Sequence, residues 1–133
     1  MKKNIIFSLI NFIIVGLLLS GCTSQPKPLY TYGDYSKTYY HSKKDPSPET
    51  ALALQKSIEN AIQTSSESLS GRVAPGIYAN LGYIYLKSGN YNKAAENFNN
   101  EKRIYPESEY FMNRMLKKIE LAQGENKWLI KKP

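Results

Sequence analysis

Residues 75–106 read PGIYANLGYIYLKSGNYNKAAENFNNEKRIYP. Within them Tyr78, Leu81 and Tyr85 fall at i, i+3 and i+7, and so share one face of a helix. Gly82 lies on that face without a side chain, which lets a second helix approach closely. Its cost, about 1 kcal/mol against Ala, is otherwise hard to explain inside a helix. Pro75 suits a first helical position, where the missing N–H is no loss. Ser88-Gly89-Asn90 reads as a turn, with Asn90 placed to cap the next helix. Ala94 is the small residue to meet Gly82, and Phe98 fills the space beyond. Pro106 stops the second helix and opens a third.

An aromatic, then Leu-Gly, Tyr, Ala, Phe and Pro at these offsets resembles one tetratricopeptide repeat. At background usage the string arises by chance well below about once in a million starting points. The fold class it implies is all-α, a short tetratricopeptide-like stack of about four antiparallel helices. The pattern departs from that repeat at Glu101, where a small residue is usual three places after Phe98. Such repeats are scaffolds for binding, so the resemblance points to fold before function.

The N-terminal 21 residues read as a secretory signal. Lys2 and Lys3 form its basic end and Ile5 to Leu19 its apolar core. A spanning helix needs about 20 predominantly apolar residues, and this core is shorter and interrupted by Ser8 and Asn11. It ends in Leu19-Ser20-Gly21-Cys22, which resembles the bacterial lipobox. The resemblance implies cleavage before Cys22 and a diacylglycerol on its thiol. Cys22 is the only cysteine in the chain, so an exported mature chain forms no internal disulfide. Thr23 follows Cys22 in place of Asp, which in a two-membrane bacterium resembles the signal for transfer to the outer membrane. Lys2 and Lys3 belong to the leader, so the mature chain carries somewhat less than the formal +7. That excess is dispersed and serves solubility; a lipid-anchored exported protein would rarely meet nucleic acid.

Thr23 to Ser47 shows no helical periodicity. It holds Pro26, Pro28, Gly33 and Pro46, and its composition favours an extended tether. Tyr30, Tyr32, Tyr35, Tyr39 and Tyr40 also lie in it, more aromatics than a solvated linker usually carries. Either some of them fold back onto the helical domain, or they dock on a partner.

Ser47-Pro48-Glu49 opens a helix with a cap, a first-turn proline and an acid at the positive dipole end. Ala51, Leu54, Ile58, Ala61 and Ile62 keep helical spacing to about Ser65. A polar loop from Ser66 to Arg72 leads to the repeat. After Pro106, the residues Phe111, Met112, Met115, Leu116, Ile119 and Ala122 form another stripe, with Gly124 as its stop. The expected organisation is a signal peptide over residues 1–21, lipidated Cys22 and tether over 22–47, a helical domain over 48–124 and a tail over 125–133. Solenoids generally want at least three repeats, so either the flanking helices cap this one or a partner completes the stack.

The residues supply no catalytic constellation, no spacing suited to a metal ion, and no cofactor site. His41, the sole histidine, lies in the tether. Glu49, Glu59, Glu67, Glu96 and Glu101 read as solvated helix faces. The expectation is a protein that is not an enzyme and takes no small-molecule substrate. For binding, the outward side of the first helix carries Asn80, Tyr83 and Lys87, and the corresponding places after Pro106 carry Tyr110, Asn113, Arg114 and Lys117. Together these make a candidate groove for an extended peptide, or for a carboxylate held by Arg114 and Lys117. A plain solvated face accounts for the same residues equally well.

Pro28-Leu29-Tyr30, Gly33-Asp34-Tyr35-Ser36, Lys44-Asp45-Pro46-Ser47-Pro48-Glu49, Pro75-Gly76-Ile77-Tyr78 and Tyr105-Pro106-Glu107-Ser108 resemble a family of small bacterial lipoproteins of unknown function. Its members are often encoded beside a lipoprotein similar to the curli secretion channel. The resemblance implies an outer-membrane lipoprotein facing the periplasm, an adaptor whose partners are other envelope lipoproteins, a curli-secretion-channel-like protein among them. A pilotin-like lipoprotein, or one that activates a peptidoglycan synthase, is the alternative.

Overall fold

The computed structural model describes residues 26–130, with side chains through Gly124; the expected signal peptide over residues 1–21 and the expected lipidation site Cys22 lie outside the described residues, as do residues 131–133. Among the described residues run five α-helices: α1 Tyr35–Lys44, α2 Pro48–Gln63, α3 Ile77–Lys87, α4 Tyr91–Ile104 and α5 Glu109–Ile130. Two 3-10 turns, Ser65–Glu67 and Pro106–Ser108, complete the elements, and no strand occurs among them. The fold is all-α and helical-repeat-like. Each helix packs on its neighbour in sequence, most extensively α3 on α4.

Local sequence explains where the helices start. Ser47 and Thr50 form a reciprocal capping box at the head of α2: the Thr50 N–H donates to Ser47 Oγ at 3.2 Å and the Ser47 N–H to Thr50 Oγ1 at 3.0 Å. Asn90 caps α4 by accepting from the Lys93 N–H at 3.2 Å. Both devices satisfy donors that the first helical turn leaves orphaned. Pro75 is different. It sits in a turn, not in the first helical position, because Gly76 takes φ 82° and the Ile77 N–H bonds back to the Ala74 carbonyl at 3.2 Å. That is the type II arrangement, which asks for proline second and glycine third.

The turn leaves α3 headed by a glycine with no side chain to cap it. Glu101 of α4 fills the gap. Its carboxylate accepts from the Gly76 N–H at 2.7 Å and the Ala79 N–H at 3.2 Å, and the residue is only 3% exposed. The reading of Glu101 as a solvated face is therefore corrected. An anion at a helix N-terminus meets both orphan donors and the positive end of the dipole, which offsets the cost of burying it.

Gly82 is where α3 and α4 close. A Cβ built there would lie 2.6 Å and 2.7 Å from the Phe98 ring and 3.2 Å from the Ala94 carbonyl. Phe98 and Ala94 are both fully buried. Two apolar clusters flank this contact. One joins Leu54 and Ile58 of α2 to Val73, Ala74, Ile77 and Leu81, and the other joins Ala94 and Phe98 to Met112, Met115 and Ile119. Tyr85 packs against both.

Residues 35–44 are helical, which corrects the extended tether. No residue of α1 is buried, so no apolar stripe announced it. Beside the packing of Tyr35 on the core, polar contacts hold it: the Asn80 amide donates to the Tyr35 hydroxyl at 2.9 Å, and the Thr38 and Ser57 hydroxyls bond to one another. Of the five tyrosines, Tyr30 and Tyr35 pack on the core while Tyr32, Tyr39 and Tyr40 stay exposed. Two further corrections concern α5. Gly124 does not stop the helix, which runs on to Ile130. Phe111 leaves the stripe and is 57% exposed, and on α2 Ala51 is likewise exposed.

Tyr105 ties the C-terminal end of α4 to the loop before α3, its buried hydroxyl donating to the Val73 carbonyl at 2.6 Å. Burial, and then the neighbouring Tyr30, push its phenol well above the ordinary tyrosine range. A raised phenol contributes stability that is complete below the unfolded pKa, about 10, and is lost as pH climbs past it. Tyr105→Phe is expected to cost about 1–2 kcal/mol at neutral pH and to flatten the alkaline fall in stability. Urea melts from pH 8 to 11 check this; an unchanged alkaline slope would contradict it.

Candidate docking cleft

Pro48, Ala51, Leu52 and Gln55 follow one another at i, i+3, i+4 and i+7, so they share one face of α2. Facing them on α3 stand Tyr83, Ile84 and Lys87, with Ser88 just beyond. The two sets enclose an open cleft of about 410 Å³. Leu54, Ile58, Ile77 and Leu81 close the helix pair nearer its other end. Leu52 is 51% and Tyr83 47% exposed, which gives the cleft an apolar floor and an aromatic wall. Lys87, exposed, lies in the last turn of α3, where a cation complements the helix dipole. Chemically the site offers apolar burial, a phenol and one cation.

Of the other residues expected in a groove, Asn80 is drawn into packing: besides Tyr35, its amide donates to the Gly76 carbonyl at 2.9 Å. Tyr110, Asn113, Arg114 and Lys117 are all exposed on α5. The Arg114 guanidinium lies 6.0 Å from the Tyr110 ring centre, and Asn113 accepts from the Lys102 ammonium at 3.0 Å. Neither contact reaches Tyr83 or Lys87. The expected groove is thus two surfaces, one on α2 and α3 and one on α5. Pro48, Ala51, Leu52 and Gln55 complete the first, and sequence reasoning assigned them no such role. The available signal was Leu52, an apolar residue out of phase with the buried stripe.

A second cleft of about 420 Å³ lies between α1 and α2, lined by Asp34, Lys37, Thr38, His41, Glu49, Thr50 and Ala53. His41 is exposed there, and its ring meets Tyr40 edge-on at 6.1 Å. No group of three His, Cys, Asp or Glu suited to a metal ion occurs among the described residues. No described helix is long and apolar enough to cross a membrane.

Residues 29–115 match the model of a domain of unknown function (DUF4810). No curated protein and no solved structure matches the chain.

Proposed function

This chain belongs to the DUF4810 family, and on that premise we propose that it is a lipid-anchored adaptor of the bacterial outer membrane. It holds an envelope partner in the cleft between α2 and α3. Cys22 carries the lipid, the helical domain faces the periplasm, and the partner belongs to an assembly or secretion complex such as one with a curli-channel-like lipoprotein. The protein acts by binding and not by catalysis.

One observation carries this reading: Leu52, Tyr83 and Lys87 line one open furrow. An extended segment with an apolar side chain and a carboxylate fits it, the side chain against Leu52 and Tyr83 and the carboxylate at Lys87. The tetratricopeptide-like spacing from Tyr78 to Pro106 supports a binding scaffold. The matched family span also includes every residue of the cleft.

Mild crosslinking in the native envelope, followed by purification of the full-length lipoprotein, tests the proposal. Tyr83→Ala with Lys87→Glu is expected to lower partner capture about tenfold or more, the loss typical of an aromatic anchor and a paired charge. Helix content should not change, since both side chains are exposed. Full capture by that variant, with loss from Arg114→Glu and Lys117→Glu, would move the docking surface to α5.

A further inference from the structure

We infer that the end of the helical stack from which the chain leads back to Cys22 rests on the phospholipid surface, seated by Leu29 and Leu69. The inference rests on the lipid anchor proposed above and adds an orientation to it.

The tether is much shorter than the sequence pattern suggested. Residues 28 and 29 are pinned to the loop after α2: the Leu69 N–H donates to the Pro28 carbonyl at 2.9 Å and the Ser70 N–H to the Leu29 carbonyl at 3.2 Å. Six peptide units separate Cys22 from Pro28, so an acylated Cys22 holds this point within at most about 20 Å of the bilayer. Such a link gives whatever lies at that end a high effective concentration at the lipid surface. A weak contact there is enough.

What lies there is apolar. The pairing sets Leu29 beside Leu69, and they are 57% and 71% exposed. Lys27 and Arg72 flank them, both exposed. Glu67 in the same loop, and Glu107 and Glu109 at the head of α5, are exposed at this end too, so the seat is made by the leucines and not by net charge. Tyr105 bonds to Val73 and α5 begins just after it, which places the first turn of α5 at the same end. Tyr110 and Phe111 in that turn are 77% and 57% exposed. Aromatic and aliphatic side chains beside cations are what a membrane interface accepts. The antiparallel run of α2 and α3 puts Pro48, Lys87 and Ser88 at the opposite end, so this seating turns the docking cleft away from the lipid.

The test uses the full-length lipoprotein in vesicles of phosphatidylethanolamine and phosphatidylglycerol. A nitroxide is attached through Leu69→Cys, and in a second protein through Asn92→Cys at the far end of the stack. Collision with dissolved oxygen, relative to a water-soluble nickel chelate, is expected to be several-fold greater at 69 than at 92. Equal, water-like accessibility at both would overturn the inference. So would spin–spin broadening at 69, which would mean that a second copy covers the leucines. The parental chain is treated with the same label. If it refuses the label, Cys22 is blocked, and a water-exposed nitroxide at 69 then sinks the seating alone. If it takes the label, the anchor fails and the seating fails with it.

Discussion

Phe98→Ala is expected to destabilise the domain by about 3–5 kcal/mol, the range for removing a fully buried aromatic. Small domains have only about 5–15 kcal/mol in hand, so this variant gives up a large share of its stability. The reason is local. The Phe98 ring lies over Gly82 so closely that a Cβ there would fall 2.6 Å from it. Deleting the ring opens a void against a glycine that has no side chain to move in, while Met112, Met115 and Ile119 lose a neighbour in their cluster. Chemical denaturation followed by circular dichroism measures it. A loss under about 1 kcal/mol would show that the two helices are not wedged together by this ring.

Glu101→Ala should be the next most damaging change, costing about 2–4 kcal/mol, because two partly buried N–H groups lose a charged acceptor at once. Glu101→Gln keeps the shape and one carbonyl oxygen, so it should cost less than half as much. Hydrogen exchange gives a residue-level readout. The amides of Gly76 and Ala79 should exchange faster in Glu101→Ala while that of Lys93, capped by Asn90, is changed only by the global loss of stability. Equal losses from Ala and Gln would mean that Glu101 acts through packing and not as a cap.

The parts of the fold that were legible in the sequence share one property: local chemistry and burial agree there. Ser47, Asn90, Gly82 and Phe98 each do in the structure what their residue types demand of a cap, a gap and a plug. The misreadings come from features that are not local. Helix α1 was illegible because the groups that hold it, Asn80 and Ser57, lie far along the chain. Glu101 read as surface because its partners are 25 and 22 residues away. Its departure from the small residue usual in the repeat was the visible trace of that bond. Gly124 has the residue type of a helix stop, but its backbone remains helical, so no left-handed cap forms there.

The candidate site was half legible. The outward spacing of Tyr83 and Lys87 was enough to place them on an open face, and the cleft contains both. Nothing in the spacing told that Asn80, one turn earlier on the same helix, would be taken by Tyr35. Nor did the spacing reveal that Leu52 would come opposite Tyr83, since that depends on how α2 and α3 diverge. Only the period of the repeat-like spacing points the α5 residues toward the groove. Their contacts, Arg114 with Tyr110 and Asn113 with Lys102, stay on α5 and α4.

The adaptor reading is tested most directly by a photo-activated crosslinking residue placed at Tyr83 of the full-length protein in its native cells. The account predicts a discrete adduct with an envelope protein from position 83, and none from Gln123 on α5. Irradiation that yields no adduct at 83, or the same adducts from both positions, would contradict it.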